Sequence, residues 1–273
     1  MPRARVGQFE LAYERTGSGP PLLAIMGMSG TLATWGEPFL GPLRECFEVI
    51  AYDHRGAGES SPVEAPTVQE DSMTIAELAA DAAGLMDALE LDSAHVLGIS
   101  MGGMVAQELA LAHPGRVRTL TLGCTYCGGP GSSLASPAVA ARLAESMRAG
   151  DRELALRTGW EICISPRVRE DPELYATYRS LALTRRVPVP VILAQMGAIA
   201  AHDTSARLAS LAPPTLIVHG DADDLIPVEN AHVIAGHLPG ARLEILEGTG
   251  HLFFWEEPAR AAELVRDHAA VPA

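Results

Sequence analysis

The sequence predicts an α/β protein: a mostly parallel β-sheet with helices on both faces, interrupted by an all-helical insertion. Three observations predict it. Short apolar runs of strand length alternate with helix-length segments along most of the chain. Those runs are apolar throughout rather than at every second residue, the pattern of strands buried on both faces. Between residues 128 and 210 the alternation stops, and it resumes afterwards.

The elements follow in order. VGQFELAYERTG reads as a hairpin strand pair, with apolar residues at Phe9, Leu11 and Tyr13. PLLAIMG (Pro21–Gly27) is a continuous apolar strand ending in glycine. A helix-length segment runs from Trp35 to Cys46, and the strand FEVIAYD (Phe47–Asp53) comes next. After the Gly-rich turn HRGAGESS, a helix is expected over Thr74–Leu89, where Thr74 and Glu77 have capping-box spacing. AHVLGIS (Ala94–Ser100) runs straight into a helix over Met101–His113, which Pro114 stops. VRTLTLGC (Val117–Cys124) is the next strand. Helical stretches then cover Pro137–Arg148, Asp151–Glu161 and Pro172–Leu183 with no buried strand between them. The strand TLIVHG (Thr215–Gly220), a helix over Glu229–Leu238, the strand ARLEILEG (Ala241–Gly248) and a helix over Glu257–Asp267 restore the alternation. Residues 128–210 are therefore expected to form a helical cap. It would lie over the carboxyl edge of a core made of residues 1–127 and 211–273, the edge where open parallel sheets bind ligands. The alternative is a second independent domain; the return of the sheet pattern favours the cap.

Composition narrows the function. Twenty Lys and Arg stand against 34 Asp and Glu, a net charge of −14. Such a surface repels phosphate backbones and anionic lipid, so neither nucleic acid nor a membrane is an expected partner. The longest mostly apolar stretch, Val187–Ala201, opens with two prolines and falls short of the ~20 residues a spanning helix needs. MPRARVGQFELAYE has basic residues with no apolar run behind them, so it does not read as a secretory signal, and a cytoplasmic location is expected. Cys46, Cys124, Cys127 and Cys163 are too few for a disulfide scaffold. Cys124 and Cys127 have the spacing of a redox pair, but they follow a strand and no second pair completes a zinc site. No metal is expected.

The strongest chemical signal is Gly98-Ile99-Ser100-Met101-Gly102, followed by Gly103, at the junction of a strand and a helix. In that context G-x-S-x-G is a sharp turn that lifts a serine hydroxyl above the sheet. The helix beginning at Met101 aims free N–H groups at the same point, which favours developing negative charge. The plain reading is a serine N-cap. A serine hydroxyl needs a base. Among nine histidines, His251 differs: it lies in a glycine-rich loop after the last strand, EGTGHLFFWEEP, polar before it and anchored after it by Leu252, Phe253 and Trp255. The plain reading there is a loop histidine packed by aromatics. The base needs an acid to hold its tautomer. HGDADDLIP offers Asp221, Asp223 and Asp224 after the penultimate strand; the CTYCGG loop after Val117–Cys124 offers none.

The chain resembles the α/β-hydrolase-fold serine hydrolases over almost its full length. MGMSG, DHRGAGES, GISMGG, HGDADDLIP and GTGHLFFWEEP stand in that family's order and at its spacings. The resemblance implies an eight-stranded sheet, a nucleophile at Ser100, an acid at Asp223 and a base at His251. It places the oxyanion-hole amides at Met101 and Met28. Many members read His-Gly where this chain reads Met26-Gly27, a departure that a backbone donor tolerates. Gly27, Met104, Met196, Leu225 and Leu252 are candidates to line the substrate pocket, with Met28 and Met101 adding flexible thioether surface. Asp53, His54 and Arg55 read as braces of a turn, and Arg185-Arg186 as a solvated pair. No cofactor is implied. Dehalogenases and epoxide hydrolases of this fold carry Asp at the nucleophile position, so Ser100 argues against both. The expected activity is hydrolysis of a small-molecule carboxylic ester or lactone through an acyl-enzyme; small methylesterases, enol-lactonases and acyl-homoserine-lactone hydrolases look similar. C–C bond hydrolysis or cofactor-free perhydrolysis on the same triad is the alternative. A non-catalytic ligand-binding receptor with this fold is the rival from another class.

Overall fold

The apolar runs pair into one eight-stranded sheet, in a computed structural model that describes residues 1–61 and 73–270. The strands are β1 (Arg3–Val6), β2 (Phe9–Gly17), β3 (Pro21–Ile25), β4 (Glu48–Tyr52), β5 (Ala94–Ile99), β6 (Val117–Gly123), β7 (Thr215–Gly220) and β8 (Arg242–Leu246). Their order in the sheet is β1-β2-β4-β3-β5-β6-β7-β8. The N-terminal hairpin β1–β2 is antiparallel, and β2 joins β4 antiparallel; β3 to β8 are parallel.

Successive strand residues feed opposite faces. Leu23, Ile25, Ile50, Val96, Leu120 and Ile217 pack on one side against α2 (Ile75–Ala88), α3 (Met101–Ala112) and α8 (Glu229–His237). Leu22, Ala24, Val49, Leu97, Leu216 and Val218 pack on the other against α1 (Glu37–Arg44) and α10 (Pro258–Ala269). This two-sided burial explains why the strands read as unbroken apolar runs. At α2 the Thr74 hydroxyl accepts from Glu77 N–H while the Glu77 carboxylate accepts from Thr74 N–H, the reciprocal cap that the spacing predicts.

Four helices lie between β6 and β7: α4 (Pro137–Arg148), α5 (Arg152–Cys163), α6 (Pro172–Thr184) and α7 (Val189–Ala200). Helix α7 was hidden in the sequence by its prolines. Pro188 is the N-cap and Pro190 lies in the first turn, where a missing N–H costs nothing. Likewise the segment expected as one helix from Trp35 to Cys46 is a 3₁₀ turn, Leu32–Trp35, then α1, because Gly36 at φ 73° breaks the rotation between them. The last loop also contains a short turn of helix, α9 (Phe253–Glu256). No helix among the described residues is long and apolar enough to cross a membrane.

Buried histidines make the fold acid-sensitive. Burial, helped by the neighbouring Arg118 charge, pushes His95 down to about 4, and burial pushes His202 down to about 4. The unfolded chain binds protons at these sites below about pH 6.5, whereas the folded chain does not. Stability is therefore expected to be full above that value and to fall as pH drops towards 4, by on the order of 3 kcal/mol per histidine. Urea unfolding between about pH 7 and pH 4.5 measures the slope, and His202→Gln should flatten it.

Candidate active site

Four adjacent parallel strands, β5 to β8, end at one edge, and the loops leaving them carry Ser100, Cys124, Asp223 and His251. Ser100 sits between β5 and α3 at φ 57° and ψ −123°, a conformation that disfavours any residue with a Cβ. The surroundings hold it there. Its N–H donates to Gly123 O at 2.8 Å, and its carbonyl accepts from the Thr125 hydroxyl at 2.7 Å and from Gly103 N–H at 2.9 Å. The flanking glycines are required by close approach: a Cβ on Gly98 would stand 2.2 Å from Gly102 O, and one on Gly102 2.0 Å from Ile25 O. Gly102→Ala is expected to cost about 3 kcal/mol of stability, because the obstacle is backbone and cannot rotate away; chemical denaturation reads the loss.

His251 is buried at 3% exposure and donates through Nδ1 to Asp223 Oδ2 at 2.7 Å. The two backbone amides of Leu225 and Ile226 both donate to Asp223 Oδ1 at 2.9 Å. A second imidazole, His219 on β7, donates Nε2–H to Ile226 O at 2.8 Å and lies 3.4 Å from Asp223 Oδ2. Burial alone would raise the Asp223 carboxyl. The facing charge of His251 and the hydrogen bonds from His219 and His251 outweigh it and hold the carboxyl well below the usual carboxylate range. The competing acids are elsewhere. Asp221 is exposed and accepts from Gly248 N–H at 2.7 Å, stapling a turn, and Asp224 is exposed. With Nδ1–H committed to Asp223, the ring lone pair lies on His251 Nε2.

Cys124, His219 and Asp223 bring three donor atoms within 4.8 Å of one another. The chemistry does not suit a metal. The carboxylate already accepts two amides and His251 Nδ1–H, with the His219 ring 3.4 Å away, and burial pushes the Cys124 thiol well up, so it is a neutral neighbour. Cys124 and Cys127 belong to the two opposite cores and do not face each other as a redox pair.

The amides expected to receive an oxyanion lie on segments next to Ser100. Gly27 follows β3, and a Cβ there would stand 3.0 Å from Ser100 Cβ, so the MGMSG loop touches the serine. Among the described residues no backbone acceptor engages Met28 N–H or Met101 N–H. Leu252 adjoins His251 and Leu225 is half-buried beside Asp223, whereas Met104, on the inner face of α3, is wholly buried in the core rather than open to a pocket. Met196 departs from expectation. It is 38% exposed and lines a separate groove with Met73, Leu193 and Ala200. On α7 the buried face is Val191, Ala194, Gln195 and Ala198, and the helical rotation turns Met196 outward.

Neighbouring braces were partly legible. Asp53, fully buried, accepts from Leu32 N–H and Glu59 N–H, and His54 Nε2–H donates to Met26 O at 2.9 Å. Arg55 pairs with Asp81. Arg185, expected to be solvated, instead reaches from the insertion to Asp53 at 3.4 Å and Glu59 at 3.3 Å. Glu256, unmarked in the sequence, accepts from Gly250 N–H at 2.9 Å and Ser165 N–H at 2.8 Å, tying the His251 loop to the insertion.

A family model described as the alpha/beta hydrolase fold matches residues 20–158 and 162–258. A protein of Azorhizobium caulinodans that carries the name carbamate hydrolase RutD is 30% identical over 254 residues, covering 93% of this chain and 92% of that one. The 3-oxoadipate enol-lactonase 1 of Acinetobacter baylyi is 27% identical over 249 residues, 89% of this chain and 86% of its own. The crystal structure of a hydrolase from Pseudomonas aeruginosa PA01 superposes with a TM-score of 0.81 at 29% identity, covering 96% of this chain and 95% of the other. The chain belongs to the α/β-hydrolase fold family and is a hydrolase.

Proposed function

We propose that this hydrolase cleaves a carboxylic ester or lactone through an acyl-enzyme on Ser100. His251 Nε2 takes the hydroxyl proton as Ser100 Oγ attacks the carbonyl carbon. Asp223 holds the imidazole in the tautomer that leaves Nε2 basic and faces the imidazolium that forms. The N–H groups of Met28 and Met101 receive the oxyanion. His251 then gives its proton to the leaving oxygen. A water, activated by the same nitrogen, attacks the acyl-enzyme and releases the acid and free Ser100. The observation that carries this reading is the buried 2.7 Å bond from His251 Nδ1 to Asp223, on the sheet edge that also holds the strained Ser100 turn.

Residues 128–210 act in this reading as a cap that shapes the substrate site. Three contacts support it: Gln195 to Ser29, Arg185 to Asp53, and Ser165 to Glu256. The lactonase relative supports a lactone or ester as substrate. The carbamate hydrolase name of the RutD relative favours a second reading, a carbamate carbonyl attacked by the same serine.

The test is steady-state hydrolysis of p-nitrophenyl acetate, butyrate and octanoate, an acyl-homoserine lactone, a bulky aromatic methyl ester and a simple carbamate, with Ser100→Ala beside the wild type. Multiple turnover that vanishes in the variant is the expected result, and the rank order selects ester, lactone or carbamate. A folded wild type that turns over none of them overturns the ester and lactone reading and shifts weight to C–C chemistry or a receptor.

A further inference from the structure

Gln195 is an amide in an apolar helix face. It lies on α7 with Val191, Ala194 and Ala198, all buried, and is itself 0% exposed. Its Oε1 accepts from Ser29 N–H at 3.0 Å, across 166 residues of sequence. Among the described residues its buried Nε2 has no hydrogen-bond partner. The orientation of the amide is fixed by chemistry, since the reverse would set two donors against each other.

Ser29 stands in the loop that touches Ser100. Residues 27–30 form a tight turn closed by Gly30 N–H to Gly27 O at 3.3 Å, and Ser29 holds φ 58° within it. That left-handed conformation is unfavourable for a residue with a Cβ and persists only where the surroundings impose it. The Gln195 carbonyl is such an imposed contact: it captures the N–H of the peptide that directly follows Met28. Ser29 N–H is occupied and, among the described residues, no backbone acceptor engages Met28 N–H, so one of two consecutive amides is held by protein and the other is open to a ligand.

We propose that Gln195 is a positioning residue: by holding Ser29 N–H it fixes the turn that aims Met28 N–H, so the oxyanion site forms only when α7 is seated on the core. The inference rests on the serine mechanism proposed above. It makes the insertion part of the catalytic geometry rather than a cover alone. Its Oε1 acts through Ser29 and touches no reacting atom.

Gln195→Met keeps the volume and removes the acceptor. Gln195→Glu keeps an oxygen at the Oε1 position, and burial favours its neutral, protonated form. Turnover of p-nitrophenyl butyrate and labelling of Ser100 by a fluorophosphonate are measured for both at about pH 6, where burial keeps the new carboxyl protonated. In the labelling step the Ser100 Oγ–P bond forms, the P–F bond breaks, fluoride leaves and the hydroxyl proton passes to His251. The phosphoryl oxygen occupies the oxyanion site. Misaiming a donor by a fraction of its bond length is expected to lower kcat in Gln195→Met by about 10²-fold with KM little changed. Labelling should slow by a similar factor, Ser29 N–H should exchange faster with solvent, and Gln195→Glu should recover most of the rate. A Gln195→Met enzyme with wild-type kcat and labelling overturns the proposal even if its Tm falls, as does a change confined to KM. A wild type that the fluorophosphonate leaves unlabelled overturns the serine mechanism itself, and the proposal falls with it.

Discussion

Ser100→Ala is expected to reduce kcat/KM on every accepted substrate by on the order of 10⁴- to 10⁶-fold while leaving the fold intact. The size follows from what is removed. In the mechanism proposed above, losing Oγ removes the acyl-enzyme and leaves only substrate binding beside the proposed oxyanion amides and an idle imidazole. The fold is expected to survive because the elbow is held by backbone groups: Ser100 N–H on Gly123, its carbonyl on Thr125 and Gly103. Ser100→Gly extends the test. Glycine accepts φ 57° and ψ −123° without penalty, so this variant should be equally inactive yet more stable than wild type by about 1 kcal/mol. Inactivity with raised stability would mark the turn as strain kept for reactivity. A Ser100→Gly protein no more stable than wild type would show that the surrounding bonds, not the residue's own preference, set the turn's energy.

Asp223→Asn is the second large effect, a loss of about 10⁴-fold in kcat with KM nearly unchanged. The Asn oxygen can still accept from the Leu225 and Ile226 amides, so the loop keeps its shape. The new NH₂ then faces His251 Nδ1 and favours the tautomer with Nδ1 as acceptor. That puts the proton on Nε2 and removes the base. The same variant reads a stability effect. The Asp223 carboxyl is held below its ordinary range in the fold, so its contribution is fully present above the unfolded value of about 3.9 and is lost as the pH falls through the depressed folded value. The stability difference between wild type and Asp223→Asn should therefore shrink on acidification below about pH 3.9. Guanidinium melts of both proteins across that range decide it; a difference that does not change would show that the pair carries no charge-dependent stability.

What was legible in the sequence is what local chemistry encodes. The strand spans Thr215–Gly220 and Ala94–Ile99, the elbow at Ser100, the cap of α2 at Thr74 and the order of the loops all follow from residues within a few positions of one another. Burial on both faces leaves an apolar run, and a tight turn leaves glycines, so these features print directly into the chain. The family resemblance added the selection of Asp223. From the residues alone, three aspartates within four positions competed, and which of them turns inward depends on how the loop after β7 wraps, not on its composition.

Tertiary structure decided the contacts that cross between strands and between the insertion and the core. Asp223 faces His251 because β7 and β8 are neighbours and their loops fold towards each other. His219 joins the acid because a β7 residue and the following loop double back on the same carboxylate. Gln195 and Met196 are adjacent in sequence and chemically compatible with a pocket, yet one meets Ser29 and the other meets solvent. Helix α7 rotates by about 100° per residue, and only its seating on the core says which side chain faces inward. Arg185 and Glu256 show the same limit: their partners, Asp53 and Ser165, lie 132 and 91 residues away along the chain, a separation that no local pattern records.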